Sequence, residues 1–132
     1  MGLLSRIFGI CKTKPPGDPG CWTCSHGKLE IDLARVPEFS ESGKAIRLEG
    51  KGLSERILVV YGNDGQIHAV ENRCTHMGRR LDPLAGDEAV QCCSVSKSTF
   101  SYAGTVISGA AKTPLKTFNV EMKDGKAIIL LN

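Results

Sequence analysis

From residue 28 onward, the chain consists of short segments in which apolar and polar residues alternate, with turn residues between them. Leu29, Ile31 and Leu33 alternate with polar residues, and this period of two is typical of a half-buried strand. Residues 63–65 read Asn-Asp-Gly, a strong hairpin signal because these residues tolerate positive φ. The pattern predicts an all-β sandwich or barrel with strands at residues 28–33, 45–49, 57–61, 67–71, 120–123 and 127–131.

The length and composition are those of one ordinary globular domain. The chain has 132 residues, 41% of them hydrophobic, which is enough for one buried core. A net charge of +3 without basic clusters among aromatics argues against nucleic-acid binding, but it favours an acidic protein partner. No apolar run approaches the roughly 18 residues of a transmembrane segment. Six cysteines without a recognisable secretory signal predict a cytoplasmic protein whose cysteines serve metal or redox chemistry more than disulfides.

Residues 1–27 are predicted to form an N-terminal helix and linker before a domain at residues 28–132. Apolar residues at positions 3, 4, 7, 8 and 11 recur at helical spacing. We favour a helix that is folded back onto the domain, or frayed in solution, over one that docks on a partner or a membrane surface. A linker rich in Pro and Gly follows. Cys21 and Cys24, near His26, have the spacing of a zinc site or a redox dithiol, but no supporting pattern accompanies them, so we interpret them as incidental thiols.

Soft metal ligands are concentrated in two loops between predicted strands. Cys74 and His76 lie in the first loop, and Cys92 and Cys93 lie in the second. Cysteine sulfur suits iron–sulfur clusters and zinc, and imidazole suits zinc and iron. The two loops therefore predict a metal site held between them.

These loops resemble those of the Rieske iron–sulfur domain family. The first loop of that family reads Cys-x-His-x-Gly-x-x-Leu, and it is matched here by Cys74, His76, Gly78 and Leu81. The second reads Cys-Pro-x-His-Gly-x-x-aromatic, and counting back from Phe100 places its cysteine at Cys93. A third loop, Gly-Pro-Ala-x-x-Pro-Leu, is echoed by Gly109, Ala111, Pro114 and Leu115. The resemblance runs from about residue 28 to 131 and implies a Rieske-like antiparallel β-sandwich with a small cluster-binding subdomain of two loops.

The second loop departs from the family at one ligand position. The family's second histidine falls on Ser96, and the histidines of this chain are His26, His68 and His76. In Rieske domains two cysteines and two histidines hold a 2Fe–2S cluster. No histidine of the second loop is therefore available to complete the set.

The resemblance implies Cys74, His76 and Cys93 as cluster ligands and leaves the fourth ligand open. Cys92 is the right chemical type, but consecutive residues on an extended chain point to opposite faces. Ser96 occupies the right position, but its hydroxyl is a hard donor that is reluctant to lose its proton. We favour Cys92 as the fourth ligand.

The resemblance implies a one-electron carrier, a ferredoxin-like component of an oxidoreductase with a redox protein partner. Arg79 and Arg80, just after His76, are candidates for contact with an acidic partner. Because no nucleophile–base pair or phosphate-binding loop is evident, we expect an electron-transfer protein and not an enzyme with its own substrate. Two alternatives stay open: a clusterless interaction module with the same fold, and a thiol or metal sensor built on Cys92 and Cys93.

Overall fold

A computed structural model describes residues 2–131 and shows two antiparallel β-sheets preceded by a short helix. Met1 and Asn132, at the ends of the predicted N-terminal segment and domain, lie outside the described residues. The helix is α1 (Leu3–Phe8). The strands are β1 (Trp22–Ser25), β2 (Lys28–Asp32), β3 (Lys44–Leu48), β4 (Ile57–Tyr61), β5 (Ile67–Glu71), β6 (Leu81–Pro83), β7 (Ala89–Cys92), β8 (Thr99–Ser101), β9 (Val106–Ser108), β10 (Thr117–Lys123) and β11 (Lys126–Leu130).

Every strand pair is antiparallel, which confirms the predicted all-β class. The larger sheet has the order β1-β2-β11-β10-β5-β4-β3, and the smaller sheet has the order β6-β7-β8-β9. A short 3-10 turn at Pro19–Cys21 precedes β1, and two more, Leu33–Arg35 and Pro37–Ser40, lie between β2 and β3. Among the described residues, no helix is long and apolar enough to cross a membrane.

Strand β4 separates two hydrophobic cores, and this explains why it is an unbroken apolar run. Ile57 and Val59 belong to the core beneath the larger sheet, whereas Leu58 and Val60 face the core shared with the smaller sheet. A strand buried on both faces loses the alternation of polar residues that a half-buried strand shows. The second core also contains Cys74 and Cys92, so the two candidate loops are anchored in packed structure.

The predicted boundary at residue 28 falls inside a β-hairpin. Strand β1 pairs with β2 along its whole length, from Trp22 opposite Ile31 to Ser25 opposite Lys28. His26 and Gly27 both have positive φ, as a two-residue hairpin turn requires. Trp22 is 4% exposed and lies in the main core. The structure therefore does not divide the chain at residue 28, because residues 22–25 complete the larger sheet.

Candidate functional site

The first loop connects β5 to β6 and is fixed by buried polar contacts. Cys74 donates its N–H to the carbonyl of Arg79 at 2.7 Å, and it accepts the N–H of Gly78 at 2.8 Å. The buried side chain of Asn72 accepts the N–H of Leu81 at 2.8 Å. Arg56 donates to the carbonyls of Asn72 and Gly78 and so joins the two ends of the loop. The position of Cys74 is thus set by the backbone on both sides.

The second loop connects β7 to β8 and carries a row of serine hydroxyls. Ser94 Oγ lies 2.8 Å from Ser96 Oγ, which lies 3.4 Å from Ser98 Oγ. The N–H of Cys92 bonds the carbonyl of Ser98 at 2.8 Å and closes the loop. Lys97 has φ +51°, in the left-handed region where the resembled family has glycine. Lys97 thus has a backbone conformation that glycine adopts without steric cost.

Residues 109–113 hold the two loops together from outside. Ser98 Oγ accepts the N–H of Ala111 at 3.0 Å, and Thr75 Oγ1 donates to the carbonyl of Thr113 at 2.8 Å. Gly109 has φ +93° and lies against the backbone of Ser98, where a side chain would collide. These contacts connect the third family-like motif to both candidate loops.

The structure brings the thiols of Cys74 and Cys92 together across the two loops. Both cysteines are free and buried in the second hydrophobic core, and Cys92 Sγ donates to Ser94 Oγ at 3.2 Å. The nearby Cys92 thiol, with N–H groups of His76 and Met77 and the Ser98 hydroxyl, lowers the pKa of Cys74 to about 5 against the effect of burial. The nearby Cys74 thiol and burial raise the pKa of Cys92. A lowered pKa favours the thiolate of Cys74, which is the form that binds metals.

Cys93 does not face Cys74 but forms a disulfide with Cys11. The Cα atoms of this pair are 5.5 Å apart, and 82 positions separate them in sequence. A disulfide sulfur has no thiolate to offer a metal, so the structure does not support Cys93 as the second cysteine ligand. It also contradicts the expectation that the cysteines avoid disulfides. Because Cys92 and Cys93 point to different neighbours, they do not form the joint thiol site that the sensor alternative requires.

Residues 2–17, which we call the N-terminal strap, lie across the second loop. Arg6 donates to the carbonyls of Cys92 and Ser94 and to Oε1 of Gln91. The carboxylate of Asp82 accepts hydrogen bonds from the backbone N–H groups of residues 12 and 13, at 2.8 and 2.9 Å. Within its described part, the helix is therefore folded back onto the domain, as predicted. No pattern in the sequence predicts that Cys11 and Arg6 reach the site, because both lie outside the resembled region.

The other predicted site residues are placed at the same end of the molecule. His76 is exposed in the first loop, and Ser96 is half-buried in the second. Arg80 forms a bidentate ion pair with Glu49 at 2.8 Å, which lowers the pKa of that carboxyl. Arg79 lies against Gly9 of the strap. Both arginines thus contact this chain itself, so neither is simply available to an acidic partner.

The N-terminal cysteine pair does not form a metal site with other residues described here. Cys21 is buried in the main core, where burial raises the pKa of its thiol. Cys24 packs against that core from strand β1. Within residues 2–131, the one group of three possible ligand atoms that lie within 4.8 Å of one another belongs to Cys11, Asp82 and Cys93. The interpretation of Cys21 and Cys24 as incidental thiols stays a prediction.

Taken together, two buried thiols and an exposed imidazole lie on adjacent loops. These are donors of the type that iron–sulfur chemistry uses.

A match to the family model described as Rieske [2Fe-2S] domain covers residues 30–119. Cytochrome b6-f complex iron-sulfur subunit from Chlorobaculum tepidum is 31% identical over 74 residues, which are 54% of this chain and 39% of that protein. The chain thus spans well under half the length of this relative.

Two solved structures with the same fold come from different kinds of protein, a plasma membrane protein and an oxygenase–ferredoxin complex. The cyanobacterial plasma membrane Rieske protein PetC3 from Synechocystis PCC 6803 is 27% identical, with a TM-score of 0.52 over 63% of this chain and 84% of that one. A chain from the complex of reduced oxygenase and oxidized ferredoxin in carbazole 1,9a-dioxygenase is 22% identical. Its TM-score is 0.64, over 80% of this chain and 94% of that chain. The second likeness shows the fold alone.

These comparisons confirm the predicted Rieske-like fold and, through the description of the family, its 2Fe–2S cofactor. They support the coarse function of an iron–sulfur electron carrier. Since the family model matches well over half of the sequence, the chain belongs to the Rieske [2Fe–2S] domain family.

Proposed function

We propose that this chain is a one-electron carrier that exchanges electrons with an oxidoreductase through a 2Fe–2S cluster held between its two loops. The observation that carries the proposal is that Cys74 of the first loop and Cys92 at the end of β7, two free buried thiols, lie in the same hydrophobic core. His76, exposed two residues after Cys74, adds an imidazole at the edge of the site. The chemistry of these three donors suits an iron–sulfur cluster.

We assign the fourth position to Ser96. It occupies the place of the family's second histidine, and its hydroxyl is joined through Ser94 Oγ to Cys92 Sγ, by separations of 2.8 and 3.2 Å. A serine oxygen must lose its proton to ligate well, so this position is the weakest of the four. Cys93 is the other candidate, but it becomes available as a thiolate only after its disulfide with Cys11 is reduced.

The chain's own residues prepare the site for electron transfer. A bound 2Fe–2S cluster accepts and releases one electron. N–H groups of His76 and Met77 and the Ser98 hydroxyl stabilise negative charge on Cys74. Leu81 and Phe100, both fully buried, exclude water from the inner side. His76 is the exposed ligand, so it gives the shortest route to a partner.

An oxidoreductase partner is proposed from the settings in which related domains are found. One structural neighbour is a ferredoxin in complex with an oxygenase, and one sequence relative is the iron–sulfur subunit of a cytochrome complex. Nine basic residues and no acidic residue lie in segments 2–17, 72–81 and 92–117, which surround the site. This charge would attract an acidic redox protein at low ionic strength.

A titration of electrons tests this function. In the Cys11→Ser variant, which has no disulfide to accept electrons, we expect anaerobic coulometry to show uptake of one electron per chain, because a 2Fe–2S cluster is a one-electron centre. The reduced sample should give the electron paramagnetic resonance signal of a half-integer spin. The wild type, with Cys11 and Cys93 oxidised, should take up two further electrons per chain.

The missing histidine and the oxidised Cys93 favour one alternative, a clusterless interaction module with the Rieske fold. That module predicts no electron uptake in Cys11→Ser and only the two electrons of the disulfide in the wild type. The same titration therefore separates the two functions.

A further inference from the structure

Exposed large apolar side chains are concentrated at the end of the molecule that carries the two loops. The N-terminal strap contributes five of those found among residues 2–131: Leu3, Leu4, Ile7, Phe8 and Ile10. Met77 in the first loop and Val95 in the second are also exposed. Exposed apolar side chains grouped in one short segment are typical of an interaction surface in a folded domain.

The helix of the strap is oriented with its polar side inward. Arg6 is directed to the backbone carbonyls of the second loop, and Gly9 lies against the guanidinium of Arg79. The disulfide at Cys11 then fixes the end of the strap to Cys93. Helix α1 buries none of its own residues, and Leu4 and Phe8 are 69% and 65% exposed. A helix that packs on its own domain usually turns its apolar side to the core. Packing within the domain therefore does not explain why the apolar side of α1 is exposed.

Positive charge surrounds the apolar side chains. Segments 2–17, 72–81 and 92–117 contain nine of the chain's seventeen basic residues and none of its fourteen acidic residues. Arg80 and Lys116 form ion pairs with Glu49 and Glu55, which lie in the connection between β3 and β4. Lys12, Lys14 and Lys97 are exposed beside the strap and the second loop. Apolar side chains with basic residues beside them complement a lipid bilayer, whose acyl chains lie just below a layer of negatively charged headgroups.

We propose that this end of the protein binds the surface of a bilayer that contains anionic lipids. The aliphatic side chains of α1 enter the boundary between headgroups and acyl chains, and the neighbouring lysines contact lipid phosphates. A bilayer is the favoured occupant because Arg6 holds α1 against the second loop while Leu4 and Phe8 stay exposed beside exposed lysines, as in a helix that lies in a membrane interface. The binding does not require the cluster, so it stands or falls independently of the electron-transfer function.

Vesicle flotation with the full-length protein tests the proposal. We expect the wild type to float with phosphatidylcholine vesicles that contain phosphatidylglycerol, and to float much less with phosphatidylcholine alone. The double variant Leu4→Glu, Phe8→Glu should lose at least about tenfold in partitioning, because each buried Leu or Phe accounts for about a factor of ten or more. Met122→Glu is the matched control, since Met122 is 58% exposed in strand β10, away from the strap. It should bind like the wild type.

Circular dichroism of the three proteins shows whether they are equally folded, as expected for substitutions of exposed side chains. Failure of the folded wild type to float with the anionic vesicles would overturn the proposal. So would equal losses in the double variant and in Met122→Glu. A wild type that leaves vesicles alone but forms a dimer, which the double variant dissociates, would assign the surface to a second copy of the chain instead.

Discussion

The Cys92→Ala protein, purified without oxygen, is expected to retain less than about a tenth of the wild-type iron, because it leaves an iron atom without its buried thiolate. Cys92 is fully buried and faces Cys74 across the two loops. Alanine fills most of the same space without strain in strand β7, so the fold should be kept. Iron per folded chain is the quantity to measure.

Cys93→Ala is the control that separates the two adjacent cysteines. It removes the disulfide with Cys11, and so does Cys11→Ala, which leaves the Cys93 thiol in place. We expect both of these variants to keep their iron. If Cys93→Ala loses iron while Cys11→Ala and Cys92→Ala keep it, then Cys93 is the ligand, as the spacing from Phe100 suggests, and the assignment of Cys92 is wrong.

Loss of the disulfide is expected to lower the free energy of unfolding by about 4 kcal/mol, because it closes a loop of more than eighty residues in the unfolded chain. The Cys11→Ser variant should therefore unfold at a clearly lower urea concentration than the oxidised wild type. Reduction of the wild type with a dithiol should have the same effect.

Cys24→Ser is the matched control for the disulfide, since Cys24 is a free cysteine in strand β1 and packs at the edge of the main core. We expect its stability to change by less than about 1 kcal/mol. Equal urea midpoints for oxidised wild type, reduced wild type and Cys11→Ser would mean that Cys11 and Cys93 are not joined in the protein in solution.

The longer strands could be predicted from the sequence because their side chains alternate, or because they are wholly buried. Strands β2, β4, β5 and β11 have five residues each, and β10 has seven, enough for a periodicity to be visible. Strands β6 to β9 have only three or four residues and were not predicted. Strand β1 is hard to predict because it follows a Pro- and Gly-rich stretch and overlaps the Cys-x-x-Cys spacing, which is typical of a zinc site or a redox dithiol.

The candidate site could be located from the sequence, but its cysteines could not be assigned. The motifs place Cys74 and His76 in the loop that the structure has between β5 and β6, whereas counting from Phe100 selects Cys93, and which cysteines are ligands stays a prediction. Neighbouring residues on an extended chain point to opposite sides, and in the structure Cys92 lies in the core whereas Cys93 is bonded to Cys11. The disulfide between Cys11 and Cys93 could not be predicted either, because cysteine connectivity cannot be deduced from sequence alone.

Iron and acid-labile sulfide in the anaerobically purified wild type test the central claim most directly. A cluster held by Cys74, His76, Cys92 and Ser96 predicts about two irons and two sulfides per chain in a coloured protein. Zinc at about one per chain would show a structural Cys/His site in its place. A colourless, well-folded protein with neither iron nor sulfide would contradict the claim and leave a Rieske fold without its cluster.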